Sequence, residues 1–130
     1  MFRSIVATVL FVRDLARCLT FYRDTLGLEV QESDPDSVSF QMENVYFLLL
    51  EVSAAARLIS SEANALSIEG GPRMLLAAGV EDVDAAYEAL KAKGVTFLRS
   101  PTNQPWGLRT AHFADPEGNI WEINQSIASE

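Results

Sequence analysis

The sequence is poor in the residues that most often announce chemistry. It holds one cysteine and one histidine in 130 residues. A single cysteine excludes a disulfide framework within the chain and fits a reducing, cytoplasmic setting. A single histidine excludes a multi-histidine metal shell built from one chain. Cations are scarce too: 10 Lys and Arg stand against 18 Asp and Glu, a formal charge of -8. A nucleic-acid surface needs clustered basic residues against phosphate, so none is expected. No segment reaches the roughly 20 continuous apolar residues of a membrane span. The opening MFRSIVATVLFVRD is apolar only briefly and runs into Asp14 without a small-residue cleavage site, so it reads as a first strand. There is no glycine-rich phosphate loop and no nucleophile elbow. Gly27, Gly94 and Gly118 have turn explanations, and Gly70-Gly71-Pro72 marks a join.

What the chain does have is enough apolar residue, 48%, for one domain with a real core. It also repeats itself. VLFVRDLARCLTFYRDTLGLEV (residues 9–30) and LAAGVEDVDAAYEALKAKGVTF (residues 76–97) share one construction: apolar strand, acidic residue, helix, glycine, strand. An offset of 68 carries Val12 to Val80, Asp14 to Asp82 and Leu15 to Val83. One residue must be dropped before Gly27 meets Gly94.

The spacing predicts a first helix over 15–26. Asp14 can cap its opening turn, and Leu15, Cys18, Leu19, Tyr22 and Leu26 recur at three and four to form a buried stripe. Gly27 can adopt the left-handed conformation that stops it. The second helix repeats the plan, with Asp82 as cap, Val83, Ala86, Tyr87 and Leu90 inward, and Gly94 as stop. Cys18 on the buried stripe reads as core, not nucleophile. Strands are expected at 29–32, 37–41 and 45–51, then at 95–99, 108–114 and 120–124. The turns SDPD (33–36) and DPEG (115–118) separate them. Each half is strand, helix, three strands, which points to an α+β fold of two tandem β-α-β-β-β modules, helices outside curved mixed sheets. Module one spans 5–52 and module two 73–125, joined by a connector at 53–72, in a single domain over 1–130. Within the connector, ARLISSEANAL (56–66) is a candidate short helix.

This doubled unit, with FYRDTLGLEV in the first half and DPEGNIWEI near the C-terminus, resembles the vicinal oxygen chelate superfamily. That superfamily includes glyoxalase I, extradiol dioxygenases, fosfomycin-modifying enzymes and bleomycin resistance proteins. The resemblance runs over roughly residues 5–125. It implies that the sheets bend into troughs that together enclose a cavity, and that the chain forms a homodimer, in some members with modules paired across chains. It also implies four divalent-metal positions on first and last strands. Seven residues before Asp14 lies Ala7, where the metal enzymes usually carry histidine, and the repeat offset carries it to Leu75. Seven beyond Asp115 lies Glu122, which matches the family's carboxylate ligand. Its counterpart in the first module falls at Leu48 or Leu49. Hydrocarbon at Ala7 and Leu75 has no lone pair to give, so a conventional metal centre is not expected. The alternative is a divalent ion held by Glu122 in a carboxylate-rich site.

Without a metal, Glu122 reads as a binding group for an amine or guanidinium, as a general base, or as a structural carboxylate paired with Arg109 or a hydroxyl. Trp106, between Pro105 and Gly107, is either a cap on the core or a stacking wall for a flat or cationic ligand. Arg109 and Ala111 share one strand face and Thr110 and His112 the other; periodicity does not say which faces the cavity. His112 can pair with Glu122 across strands as an acid–base couple. Tyr46 and Phe47 alternate on the strand that leads to Glu51, and whichever points inward would line the pocket. The leading reading is a small-molecule binding protein of the bleomycin-resistance or glyoxalase-like kind, its ligand cationic or aromatic. Trp106, Glu122, Arg109, Tyr46 and Glu51 would be its ligand contacts. The alternative is a lyase-, dioxygenase- or transferase-like enzyme with Glu122 and His112 as catalytic candidates. A degenerate member with only a structural role is a third.

Overall fold

In the computed structural model, residues 1–59 and 68–127 are described. The chain divides into two compact units, Met1–Gly70 and Gly71–Glu130.

In the first unit, β1 (Ala7–Val12) leads into α1 (Leu15–Thr20), then β2 (Val30–Asp34), β3 (Ser37–Phe40), β4 (Tyr46–Glu51) and α2 (Val52–Ile59). The strand order is β1-β4-β3-β2; β1 runs parallel to β4 and the other pairs are antiparallel. Alternation sorts the two faces. Leu10, Val12, Val38, Phe40, Phe47 and Leu49 turn toward α1, and all are buried together with Cys18 and Tyr22. The Tyr22 ring centre lies 5.5 Å from that of Phe47 and 5.9 Å from that of Phe40. Cys18 is thus part of a close-packed core. Truncating a ring such as Phe47 in this core would cost about 3–5 kcal/mol.

Asp14 caps α1 as expected, accepting the Arg17 amide at 3.0 Å. The helix does not stay α-helical to its end. Residues Phe21–Thr25 form a π-helical turn, with the Leu26 amide bonded to the Phe21 carbonyl at 2.9 Å. The duplication supplies the reason. Asp14 to Gly27 is one residue longer than Asp82 to Gly94. An extra residue in a helix is absorbed by widening one turn, which keeps the stripe before it and the stop after it in place. Gly27 then takes φ +79°.

The second unit repeats the plan with β5 (Leu75–Gly79), α3 (Val83–Ala92), β6 (Phe97–Asn103), β7 (Leu108–Ala114) and β8 (Ile120–Ser126). Its strand order is β5-β8-β7-β6, with β5 parallel to β8. Asp82 caps α3 through the Ala85 amide at 3.1 Å. The core is a run of rings: Tyr87 of α3 on Phe97 (4.6 Å), Phe97 on Phe113 (5.5 Å), Phe113 stacked on Trp121 (6.3 Å). Both units are therefore β-α-β-β-β modules with mixed sheets and the helix on one face.

Element ends differ from the sequence expectation for local reasons. The sixth strand begins at Phe97, not Val95, because the Val95 amide closes α3 on the Leu90 carbonyl at 3.0 Å. Strand β2 lies at Val30–Asp34, shifted toward its turn. Helix α2 starts at Val52, ahead of the segment expected at 56–66, because Glu51 caps it; residues 60–66 of that segment fall outside the described residues. Among the described residues, no helix is long and apolar enough to cross a membrane.

Candidate functional site

Each sheet has a face opposite its helix, here called the open face. Parity places the candidates. On β7, Ala111 and Phe113 are buried toward α3, so Thr110 and His112 lie on the open face. On β8, Trp121 and Ile123 are buried, which leaves Glu122 and Asn124 on the open side. Register partners point the same way, so Leu75 and Ala77 of β5 join Ile120 and Glu122 there.

The turn between β7 and β8 sets this arrangement. The Asp115 carboxylate is buried and accepts the backbone amides of Glu117 (2.9 Å) and Asn119 (2.8 Å) and the Asn119 side-chain amide (2.8 Å). The Gly118 amide closes the turn on the Asp115 carbonyl at 3.0 Å, at φ +88°. So pinned, β7 and β8 pair with His112 directly opposite Glu122. A one-residue slip would send Glu122 to the helix side.

His112 Nε2 lies 2.9 Å from Glu122 Oε1, and Asn124 Nδ2 donates to Glu122 Oε2 at 2.7 Å. An ionised carboxylate only accepts, so Nε2 carries the hydrogen of this bond and a neutral ring keeps its lone pair on Nδ1. The side chains of His112 and Glu122 are 22% and 16% exposed, sheltered yet reachable. Beside them, Gln104 Nε2 donates to the buried Thr110 hydroxyl at 3.0 Å. The result is a small polar island bordered by Leu75, Ala77 and Ile120.

Arg109 does not reach this island. It lies on the helix side, where it makes a bidentate pair with Asp84 of α3 (2.8 and 2.9 Å) and a 2.8 Å bond to Asn103 Oδ1. The Arg109 hydrogen bond, ahead of its charge, holds the Asp84 carboxyl below its ordinary pKa, and Asp84 in turn raises Arg109. Glu122 takes its partners from His112 and Asn124 instead. Glu51 also sits on the helix side, in register with Val12, and accepts the Ala54 amide at 3.3 Å. The backbone amide of Ser53, first, and that of Ala54 lower its pKa. Tyr46 is in register with Ala7 on the open face of the first sheet, whereas Phe47 is core. Tyr46 also lines an open cavity of about 450 Å³ with Ile5, Val6, Gln31, Met42 and Asn44. Trp106 stands at the β6–β7 turn, 68% exposed, next to Gly107 at φ +89°.

The family's four metal positions can now be located. Val9 and Ala77 are related by the repeat offset; Ala77 pairs with Glu122 and Val9 pairs with Leu48. The first-module counterpart of Glu122 is therefore Leu48, while Leu49 is buried in the core. Ala7, Leu48 and Leu75 offer no lone pair, and both Glu122 oxygens already accept hydrogen bonds. Among the described residues, no group of three or more His, Cys, Asp or Glu is placed to hold an ion. The residues present do not fit the family's metal.

Sequence reasoning left out Asn124 and Arg99. Asn124 was readable, two positions beyond Glu122 and so on the same face. Arg99, opposite His112, was hidden by a bulge in β6 that alternation does not reveal.

The profile of the Glyoxalase/Bleomycin resistance protein/Dioxygenase superfamily matches residues 4–123. The uncharacterized protein YraH of Bacillus subtilis (strain 168) is 34% identical over 121 residues, covering 91% of this chain and 94% of that protein. A crystal structure of a glyoxalase/bleomycin resistance protein/dioxygenase from Nocardioides superposes with a TM-score of 0.83 at 25% identity, covering 100% of this chain and 87% of that one. A protein of unknown function from Agrobacterium tumefaciens str. C58 does so with a TM-score of 0.80 at 31% identity, covering 98% and 97%.

Proposed function

Because this chain belongs to the Glyoxalase/Bleomycin resistance protein/Dioxygenase superfamily, we propose that it is a small-molecule binding protein that works without the family's conventional divalent metal centre. The observation that carries this reading is hydrocarbon at Ala7, Leu48 and Leu75, with Glu122 turned to its protein neighbours His112 and Asn124. On this reading the two modules make one domain, a ligand is held against the open faces of the sheets, and the chain forms a homodimer. Exposed Tyr46 (42%), Leu75 (46%) and Trp106 (68%) supply apolar and aromatic surface for a ligand. Calorimetry of a library of aromatic amines, acids and neutral compounds, with a chelator present, tests it. The reading expects saturable binding that the chelator leaves intact; binding that appears only with added metal contradicts it. Light scattering tests the dimer.

A second reading has its own support. A histidine held through Nε2 by a carboxylate at 2.9 Å, which in the neutral ring keeps the lone pair on Nδ1, is the arrangement of a general base. On this reading the bound molecule would be turned over without metal, and His112→Ala would abolish turnover while binding remained.

A further inference from the structure

Two register shifts bracket Arg99 in β6, one between Phe97 and Arg99 and one between Arg99 and Thr102. Phe97 faces α3 through its contact with Tyr87. Uninterrupted alternation would carry Arg99 to that same side. The bulge instead sets Arg99 opposite His112, on the open face. The row of register partners across the second sheet therefore reads Arg99, His112, Glu122, Ala77. It runs from a cation through an imidazole and a carboxylate to a methyl group.

Arg99 and Glu122 are opposite charges two strand spacings apart, roughly 10 Å between their Cα atoms. Glu122 is engaged by His112 and Asn124, whereas Arg99 is exposed and no hydrogen bond or ion pair ties it to another described residue. His112 and Asn124 each turn a donor onto Glu122. That leaves Oδ1 of Asn124 and, in the neutral ring, Nδ1 of His112 as acceptors for an incoming molecule. The face thus offers a guanidinium at one end, acceptors in the middle and hydrocarbon (Leu75, Ala77, Ile120) beyond.

Resting on the binding role above, we propose that this face takes an amphoteric small molecule. Its carboxylate pairs with Arg99, an amine on the adjacent carbon donates to the acceptors around Glu122, and its apolar remainder covers Leu75, Ala77 and Ile120. A plain amine would leave Arg99 without an anion, and a plain acid would leave the acceptors without a donor. The overall charge of -8 points to a cation, but this patch carries both signs.

Calorimetry with norleucine, hexylamine and hexanoate, each with a chelator present, tests the proposal. Norleucine should bind about tenfold or more tighter than either single-headed probe. Arg99→Ala should reduce norleucine to the level of hexylamine, and Arg99→Lys should recover part of the loss. The isosteric Glu122→Gln should reduce it toward hexanoate. Equal binding of the three probes, no binding of norleucine, or an Arg99→Ala variant with unchanged norleucine affinity overturns the proposal. If norleucine fails while another library compound binds saturably with the chelator present, only the ligand class falls. If every compound fails, the binding role falls with it.

Discussion

His112 and Glu122 face each other across β7 and β8, with Nε2 2.9 Å from Oε1. Neither has a charged partner on its own strand; the pair forms because the Asp115–Gly118 turn between their strands fixes the register. His112→Ala would leave one oxygen of a sheltered carboxylate without its donor, at a cost of about 1–2 kcal/mol. Urea denaturation of the wild type and variant measures it. An unchanged midpoint would mean that the bond contributes nothing to the fold.

The turn itself should be more sensitive. Asp115→Ala removes the acceptor of three hydrogen bonds at a buried site, and we expect a loss of about 2–3 kcal/mol. Gly118→Ala meets no atom within 4 Å, so its cost comes from φ +88° alone, about 1–2 kcal/mol. Chemical denaturation should rank the two in that order.

The Asp84–Arg109 pair gives a pH signature. Asp84 has a lowered folded-state pKa, so its stabilisation is present above the unfolded-state value and is lost as pH falls through the folded-state value. Asp84→Asn should therefore melt below the wild type at pH 7. The gap should close in acid, below the usual carboxylate range of about 4. Melting curves across pH check this; a gap that persists in acid would assign the loss to something other than charge.

The π-helical turn makes a prediction about chain length. Deleting exposed Asp24 should let α1 close as a plain α-helix of the same span as α3, with a loss within about 1 kcal/mol. Deleting Ala89 from α3, which has no residue to spare, would rotate half-buried Leu90 off the sheet and break the register of the helix stop at Gly94, and should cost about 2–3 kcal/mol. Circular dichroism melts of the two deletions distinguish them. Similar losses would contradict the account of the turn.

Much of the fold was legible because it follows from local signals. Asp14 and Asp82 cap, Gly27 and Gly94 stop, and the apolar positions keep periods of two or near 3.6. The open side of β7 was not legible, because a period of two defines two faces without saying which one a helix will cover. That was settled by tertiary contacts: Phe113 under the Tyr87–Phe97 rings, and Arg109 on Asp84 of α3. Arg99 was beyond reach for another reason. A bulge reverses strand parity, and neither Ser100 nor Pro101 marks its position unambiguously. The one-residue excess in the first helix was visible as a gap in the repeat, although its form as a π-turn was not.

The account stands on the claim that these open faces handle a small molecule without a resident divalent ion. Elemental analysis of tag-free protein, after dialysis against zinc, nickel, manganese and iron salts and then against buffer, tests it most directly. We predict metal far below one ion per chain, equal in the wild type and in Glu122→Ala. A stoichiometric ion in the wild type that is lost in Glu122→Ala would contradict it.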